Sequence, residues 1–353
     1  MIRQYRQVIL ALCAALLGAA LFSAMQVPAG SLVGSTLAVT GLAALGLSPS
    51  VPKILRDIAF VTIGTTLGAG ITPHFLSDLA RFPASLLALT ATLVAVMAVS
   101  STVLRRFFGA SAPTALLATS PGALSYSLSL ATEGASVAVD VRFIVLLQSL
   151  RLLLITVILP PVIAVVDGVG GGHAVVTTIA HTLELPTSVV LIALASAAGF
   201  LLERFRLPAA YLLAGVIVSG LGHGVGVLEG RPSAILTFFG FSIAGAVIGA
   251  RFSSITAGQL RSLLLAGLVA TSIAVGLSGL MSLAVATWLD LPFGQVWVAF
   301  APGGVEGMSA MALTLGYDPV YVAVHHIYRL IVLLVFLPAL LKRASRQNHA
   351  VTH

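Results

Sequence analysis

Twelve continuous apolar runs of 16 to 26 residues, separated by short polar connectors, fill almost the whole chain. Each is long enough to cross or nearly cross a hydrocarbon layer of ~30 Å as a helix. In lipid, every backbone N–H and C=O must find its partner within the protein, which leaves helices and closed barrels as the available folds. The runs are unbroken instead of alternating, so helices are expected. Only 8% of the residues are charged and 58% are hydrophobic, whereas soluble domains carry about 25% charged residues. The sequence therefore predicts an all-α polytopic membrane protein. Its net charge of +7 is expected to set topology through Lys- and Arg-rich cytoplasmic loops, not to bind nucleic acid. A lone cysteine, Cys13, excludes a disulfide framework. The N-terminal stretch has the outline of a signal peptide, but it takes part in the repeat described next and is read as the first span.

The chain is a duplication. Gly18 and Pro28 match Gly199 and Pro208 at offsets of 181 and 180. At 181, Phe60, Gly64 and Gly68 match Phe241, Gly245 and Gly249, and Pro121-Gly122 match Pro302-Gly303. After a three-residue deletion, Asp140, Arg151 and Pro160 match Asp318, Arg329 and Pro338 at 178. The boundaries implied are a first repeat over 1–166, a Gly-rich linker over 167–186, a second repeat over 187–342 and a tail over 343–353. Six helices are predicted in each: 7–26, 29–48, 55–73, 82–104, 111–132 and 141–165, then 188–203, 208–225, 233–250, 262–287, 294–315 and 319–341.

The fifth segment of each copy is interrupted by Pro-Gly about ten residues in, leaving too little on either side for one straight crossing. If these segments re-enter, each half has five crossings and the second half is inverted. Basic residues then fall 14 on the cytoplasmic side against 2 outside; if they cross fully, the split is 10 against 6. The positive-inside rule favours inverted repeats with both termini cytoplasmic, in a bacterial inner membrane. A broken helix that crosses, with another segment that does not, stays open.

Polar groups at membrane depth are costly and mark sites by default. Pro121 and Gly122, and Pro302, Gly303 and Gly304, are either ordinary kinks or paired discontinuous helices whose freed backbone lines a midplane site. Corresponding interruptions in two halves favour the second reading. Arg151 and Arg329 lie nine residues before Pro160 and Pro338. Each either snorkels to the headgroups or clamps a carboxylate, from a solute or from Asp140, Asp318 or Glu306. Glu306, shielded from water, could take up and release a proton; pairing with Arg329 is nearly as good a reading. His325 and His326 precede Arg329 by four and three residues, so both can neighbour it on a helix, as a proton relay or a polar gate. In the first copy Ser125, Ser127 and Gln148 stand near the equivalent break. They either touch a ligand or, for the serines, bond back to their own helix. The repeated glycines at 64/68 and 245/249 suit close helix packing.

PGG-x-x-x-M at Pro302 to Met308, small residues at Ala310 and Ala312, and H-x-x-R at His326 and Arg329 resemble the membrane AbrB-duplication family, also labelled an ammonia monooxygenase. The first copy departs from this motif, with Ala123, Ser125 and Gln148 in place of the second glycine, the acid and the histidine. More distantly, AGFLLERFRLPAAYLLAGVIVSGL followed by LTFFGFSIAGAVIGARF is similar to the opening helices of cation–proton antiporters, which implies inverted repeats with paired broken helices.

These features together predict a secondary transporter for a small anionic or zwitterionic solute, with H+ as a candidate coupling ion through Glu306 or the histidine pair. The second reading, implied by the family's regulatory label, is a membrane-embedded regulator of gene expression acting through a partner. No enzymatic activity is expected, because copper oxidation needs a histidine-rich cluster that two adjacent histidines do not make. No cofactor, metal or nucleic acid is expected. The bilayer and a small solute are the expected partners, and a homodimer is allowed without being specified.

Overall fold

The computed structural model describes residues 2–69, 82–121, 126–127, 130–131, 139–167, 182–205, 207 and 209–351, with side chains at 2–4, 254, 257, 306 and 346–351 left out. Among the described residues it is all-helical, with one isolated bridge between Thr182 and Arg231 and no strand.

The first copy contains α1 (Ile2–Ala24), α2 (Gly30–Ala44), α3 (Lys53–Gly68), α4 (Phe82–Phe108), α5 (Ala112–Thr119) and α6 (Val141–Val166). The second contains α7 (Leu185–Arg204), α8 (Ala210–Gly224), α9 (Ala234–Ala250), α10 (Ala257–Leu289), α11 (Phe293–Phe300), α12 (Val305–Thr314) and α13 (Pro319–Val351). Seven of these (α1, α4, α6, α7, α9, α10 and α13) are long and apolar enough to cross a membrane. The protein is a multi-pass membrane protein. Leu17, Val94, Leu194 and Leu280 are each more than half exposed in mid-helix, as expected of side chains that face lipid.

Helices α2 and α8 are shorter than the sequence predicts, at 15 residues each. That is about 22 Å of helix, less than the hydrocarbon thickness. Helix α2 loses four residues at its end, where Gly46 takes φ 80°, and one at its start; α8 loses two at its start and one at its end, before Gly226 at φ 73°. Ala29 and Ala209, at matched positions, adopt left-handed backbone with φ of 54° and 51°, which costs an alanine about 1–2 kcal/mol. Each copy thus turns sharply before its second helix.

Other boundaries follow from capping. Ser111 accepts from the Thr114 amide to start α5, and Thr256 and Gln259 form a reciprocal capping box on α10. Asp140 accepts from the Phe143 amide at 3.0 Å, and Asp318 from the Val320 amide at 2.8 Å, so both repeated aspartates cap the last helix of their copy. Helices α6 and α13 run on through Pro160, Pro161 and Pro338.

The chain packs as two compact units, and each draws on both copies. The first holds residues 1–82, 156–254 and 305–324, hence α1–α3, α7–α9 and α12. Its packing is reciprocal: α3 lies on α8 and α9 on α2, so the third helix of each copy rests on the second helix of the other. Glycine makes this approach possible. A Cβ on Gly64 would collide with the Leu212 carbonyl, and one on Gly245 with the Ser35 hydroxyl and the Leu32 carbonyl. At Gly68 and Gly249 a Cβ would stand 2.6 Å from the Val216 oxygen and 2.7 Å from the Thr36 oxygen. The two glycine pairs therefore serve the close packing their spacing predicts. At one edge of this unit, Lys53 pairs with Asp57 at 2.7 Å and Glu203 at 2.8 Å.

The second unit holds residues 83–155, 255–304 and 325–353. It contains almost all of α4, α5, most of α6, α10, α11 and most of α13, again the same segments of each copy.

Candidate functional site

Both helix breaks predicted from the sequence are present. Helix α11 stops at Phe300, Ala301 turns extended with ψ 138°, and Ala301 to Gly304 run non-helical before α12. Helix α5 stops at Thr119, and Ser120 turns extended with ψ 118°. The two half-helices have eight residues each and end 181 positions apart. A helix end leaves its last carbonyls without intrahelical partners. Each such group, buried and unpaired, costs about 1–3 kcal/mol, so a break inside a membrane protein needs donors supplied from elsewhere.

In the second copy Arg329 and His326 supply them. Arg329 is 2% exposed; its Nη1 donates to the Ala301 carbonyl at 2.8 Å and its Nη2 to the Gly303 carbonyl at 2.6 Å. Nη2 also lies 2.6 Å from His326 Nδ1. A guanidinium has no acceptor to offer, so Nδ1 must be the unprotonated nitrogen. The ring proton therefore sits on Nε2, which donates to the Val298 carbonyl at 3.0 Å. Both nitrogens of His326 are thereby engaged.

The first copy repeats the pattern with weaker geometry. Arg151 Nη1 and Nη2 donate to the Thr119 and Ser120 carbonyls at 3.3 and 3.2 Å. Gln148 Nε2 donates to the Leu117 carbonyl at 2.7 Å. Gln148 occupies the position of His326 and Leu117 that of Val298, so glutamine and histidine perform one task on equivalent carbonyls. Ser127 and Ser120 share a hydroxyl–hydroxyl bond of 2.9 Å beside Gln148.

The two guanidinium groups lie near enough for their charges to repel. No carboxylate among the described residues pairs with Arg329. Helix C-termini carry partial negative charge, so each arginine compensates the end of the half-helix it caps. Asp140 and Asp318, the candidate partners named from sequence, are helix caps.

The remaining predicted residues divide as follows. Pro121, Pro302 and Gly303 are buried at the breaks, and Gly304 is half-buried there. His325 turns away from His326: its Nε2 meets Ser85 Oγ of α4 at 2.7 Å, and its ring stacks near Phe300, with centroids 5.9 Å apart. Met308 is buried on α12 in the first unit. Gly122, Ser125 and the Glu306 side chain lie outside the described residues. Ser85 is a member of this cluster that sequence reasoning missed; it is 240 positions from its partner, and no local pattern marks it. Among the described residues there is no group of three His, Cys, Asp or Glu placed to hold a metal.

Residues 32–345 match the family described as transition state regulatory protein AbrB. The chain belongs to that family, as a multi-pass helical member with two arginine-capped helix breaks. It is also similar to an uncharacterized protein, YhjN, of Bacillus subtilis (strain 168), at 26% identity over 330 residues, covering 87% of this chain and 84% of that protein.

Proposed function

We propose that this protein is a secondary transporter of a small anionic or zwitterionic solute, working by alternating access around its paired helix breaks. The observation that carries the reading is the matched capping of both breaks by buried arginines, Arg151 and Arg329. Discontinuous helices at corresponding positions of two halves are the form that solute sites take in many transporters. The arginines keep the breaks stable in an apolar setting while leaving net positive charge, which suits an anion. Packing into two compact units that each draw on both copies is compatible with such a cycle. The repeats are taken as inverted, in a bacterial cytoplasmic membrane with both termini inside, on the strength of the basic-residue bias. Proton coupling is assigned to Glu306 or the histidine pair, where His326 would have to give up its bond to Arg329 to take a proton. The protein itself is taken to have no enzymatic role.

The test is flux into proteoliposomes of pooled organic acids and amino acids, with and without a pH gradient. Wild-type protein is expected to carry solute, Arg329→Lys to reduce flux at least about 10-fold, and Glu306→Gln to remove the dependence on the pH gradient. Absence of flux across a broad panel, in protein shown to be folded, would overturn the reading. The alternative is then a membrane-embedded regulator of gene expression, which the family's description favours; a co-purifying protein partner would support it.

A further inference from the structure

A cavity in the second unit adjoins the first-copy arginine. It has about 10 Å³ of room for the centre of a water-sized particle, and its polar wall is Ser100 of α4, Thr119 of α5, Arg151 of α6 and Thr271 of α10. The rest of the wall is alanine, leucine and valine, with no carboxylate among the described residues.

Ser100 is the informative member. It is 1% exposed, and its Oγ has no hydrogen-bond partner among the described residues. Hydroxyls inside membrane helices ordinarily bond back to a carbonyl three or four residues earlier. Ser35, Thr40, Thr92 and Thr102 all do so here. Ser100 does not, and neither do Ser149, Ser282 and Ser309, but of these four Ser100 alone lines the cavity, together with Arg151 and Thr271.

The chemistry of the wall is that of an anion site. Guanidinium N–H groups are donors only, and hydroxyls can turn their protons inward. The second guanidinium, Arg329, is close enough to raise the local positive potential. In a water-poor interior such charges act more strongly than in bulk water. Size narrows the ligand further: a cavity of this volume holds about one water molecule. A halide ion is larger than water, so binding one requires a small outward shift of the wall, and an organic acid of several carbons is far too large. We propose that the cavity binds one halide-sized monoanion, held by Arg151, Ser100 and Thr271. The proposal stands apart from the transport reading, since a protein that fails every flux assay could still bind the ion.

Thermal unfolding of the full chain in detergent tests this, with bromide or chloride replacing gluconate at constant ionic strength. A saturable rise in Tm with either halide, absent with gluconate, is expected. Ser100→Ala and Thr271→Val should each weaken the apparent halide affinity about 10-fold, the loss of one hydrogen bond to a charged group. In bromide-soaked crystals an anomalous peak should lie among the three side chains. A non-saturating shift, no shift, a shift unchanged by both substitutions, or a cavity that holds water alone would overturn the proposal. Should either variant fail to fold, the wild-type titration and the anomalous map decide the matter by themselves.

Discussion

Replacing His326 by glutamine and by alanine discriminates between two roles for this histidine. His326 holds the Val298 carbonyl at 3.0 Å and the Arg329 guanidinium at 2.6 Å. Alanine leaves that carbonyl and one guanidinium N–H buried without partners. At about 1–3 kcal/mol for each orphaned group, the loss is about 2–6 kcal/mol before ring packing is counted. Glutamine carries an amide donor and a carbonyl acceptor on one terminus, and Gln148 already makes the equivalent bond to Leu117 in the first copy. His326→Gln should therefore cost no more than about 1.5 kcal/mol, the usual limit for a swap that conserves shape and partners. Thermal unfolding in detergent at one fixed scan rate reads the difference. The alanine variant should melt about 3–8 °C below wild type, and the glutamine variant within about 2 °C of it. The second readout is the pH profile of solute flux. Protonating His326 requires breaking its bond to Arg329, so the glutamine variant should keep the wild-type profile. A glutamine variant as unstable as alanine, or one that flattens the profile, would refute this account.

Three further outcomes are expected. Gly245→Ala drives a methyl group into Ser35 and the Leu32 carbonyl and should destabilise the protein by about 1–3 kcal/mol. Gly276→Ala, with nothing within 4 Å of the added carbon, should be neutral or stabilise α10 by up to about 1 kcal/mol, and thermal unfolding of both variants tests the contrast. The Tyr317 phenol, in the turn before α13, is pushed up from its usual value by burial and then by its hydrogen bond to Asp167. The folded state thus favours the neutral phenol, so this stabilisation is complete below pH 10 and is lost as the pH climbs above it. The stability advantage of wild type over Tyr317→Phe should accordingly shrink in an alkaline titration. Lys53, more than half exposed, is raised by its bonds to Asp57 and then Glu203. Lys53→Met should nonetheless cost under about 1 kcal/mol, and less in high salt, as an exposed pair does.

Much of the architecture is legible in one dimension because lipid permits so few answers. Apolar runs of spanning length require helices, and helices are found in the predicted runs, although α1 and α10 begin five residues early and α13 continues to Val351, through the stretch read as a tail. The Pro-Gly pairs break α5 and α11 where expected, since proline removes a donor and clashes with the preceding turn. Gly64, Gly68, Gly245 and Gly249 mark close packing, as four-residue glycine spacing implies. The shortened α2 and α8 were not foreseen. Their starts depend on Ala29 and Ala209 holding left-handed backbone, a conformation that alanine does not advertise, and their ends fall just before Gly46 and Gly226, both at positive φ.

The sequence by itself pointed to an internally repeated, all-helical membrane protein of the AbrB family with one break and one arginine in the last helix of each copy, and left open whether those arginines reach the headgroups or stay buried. Tertiary structure alone decided what the arginines do, because their partners are backbone carbonyls, which every residue possesses and no motif can mark. It also separated two adjacent histidines. Successive residues on a helix point about 100° apart, so His326 meets Arg329 and Val298 while His325 meets Ser85, 240 positions away. The reciprocal packing of α3 on α8 and α9 on α2 was hidden for the same reason: periodicity shows that a helix face is buried, but only long-range packing chooses the neighbour.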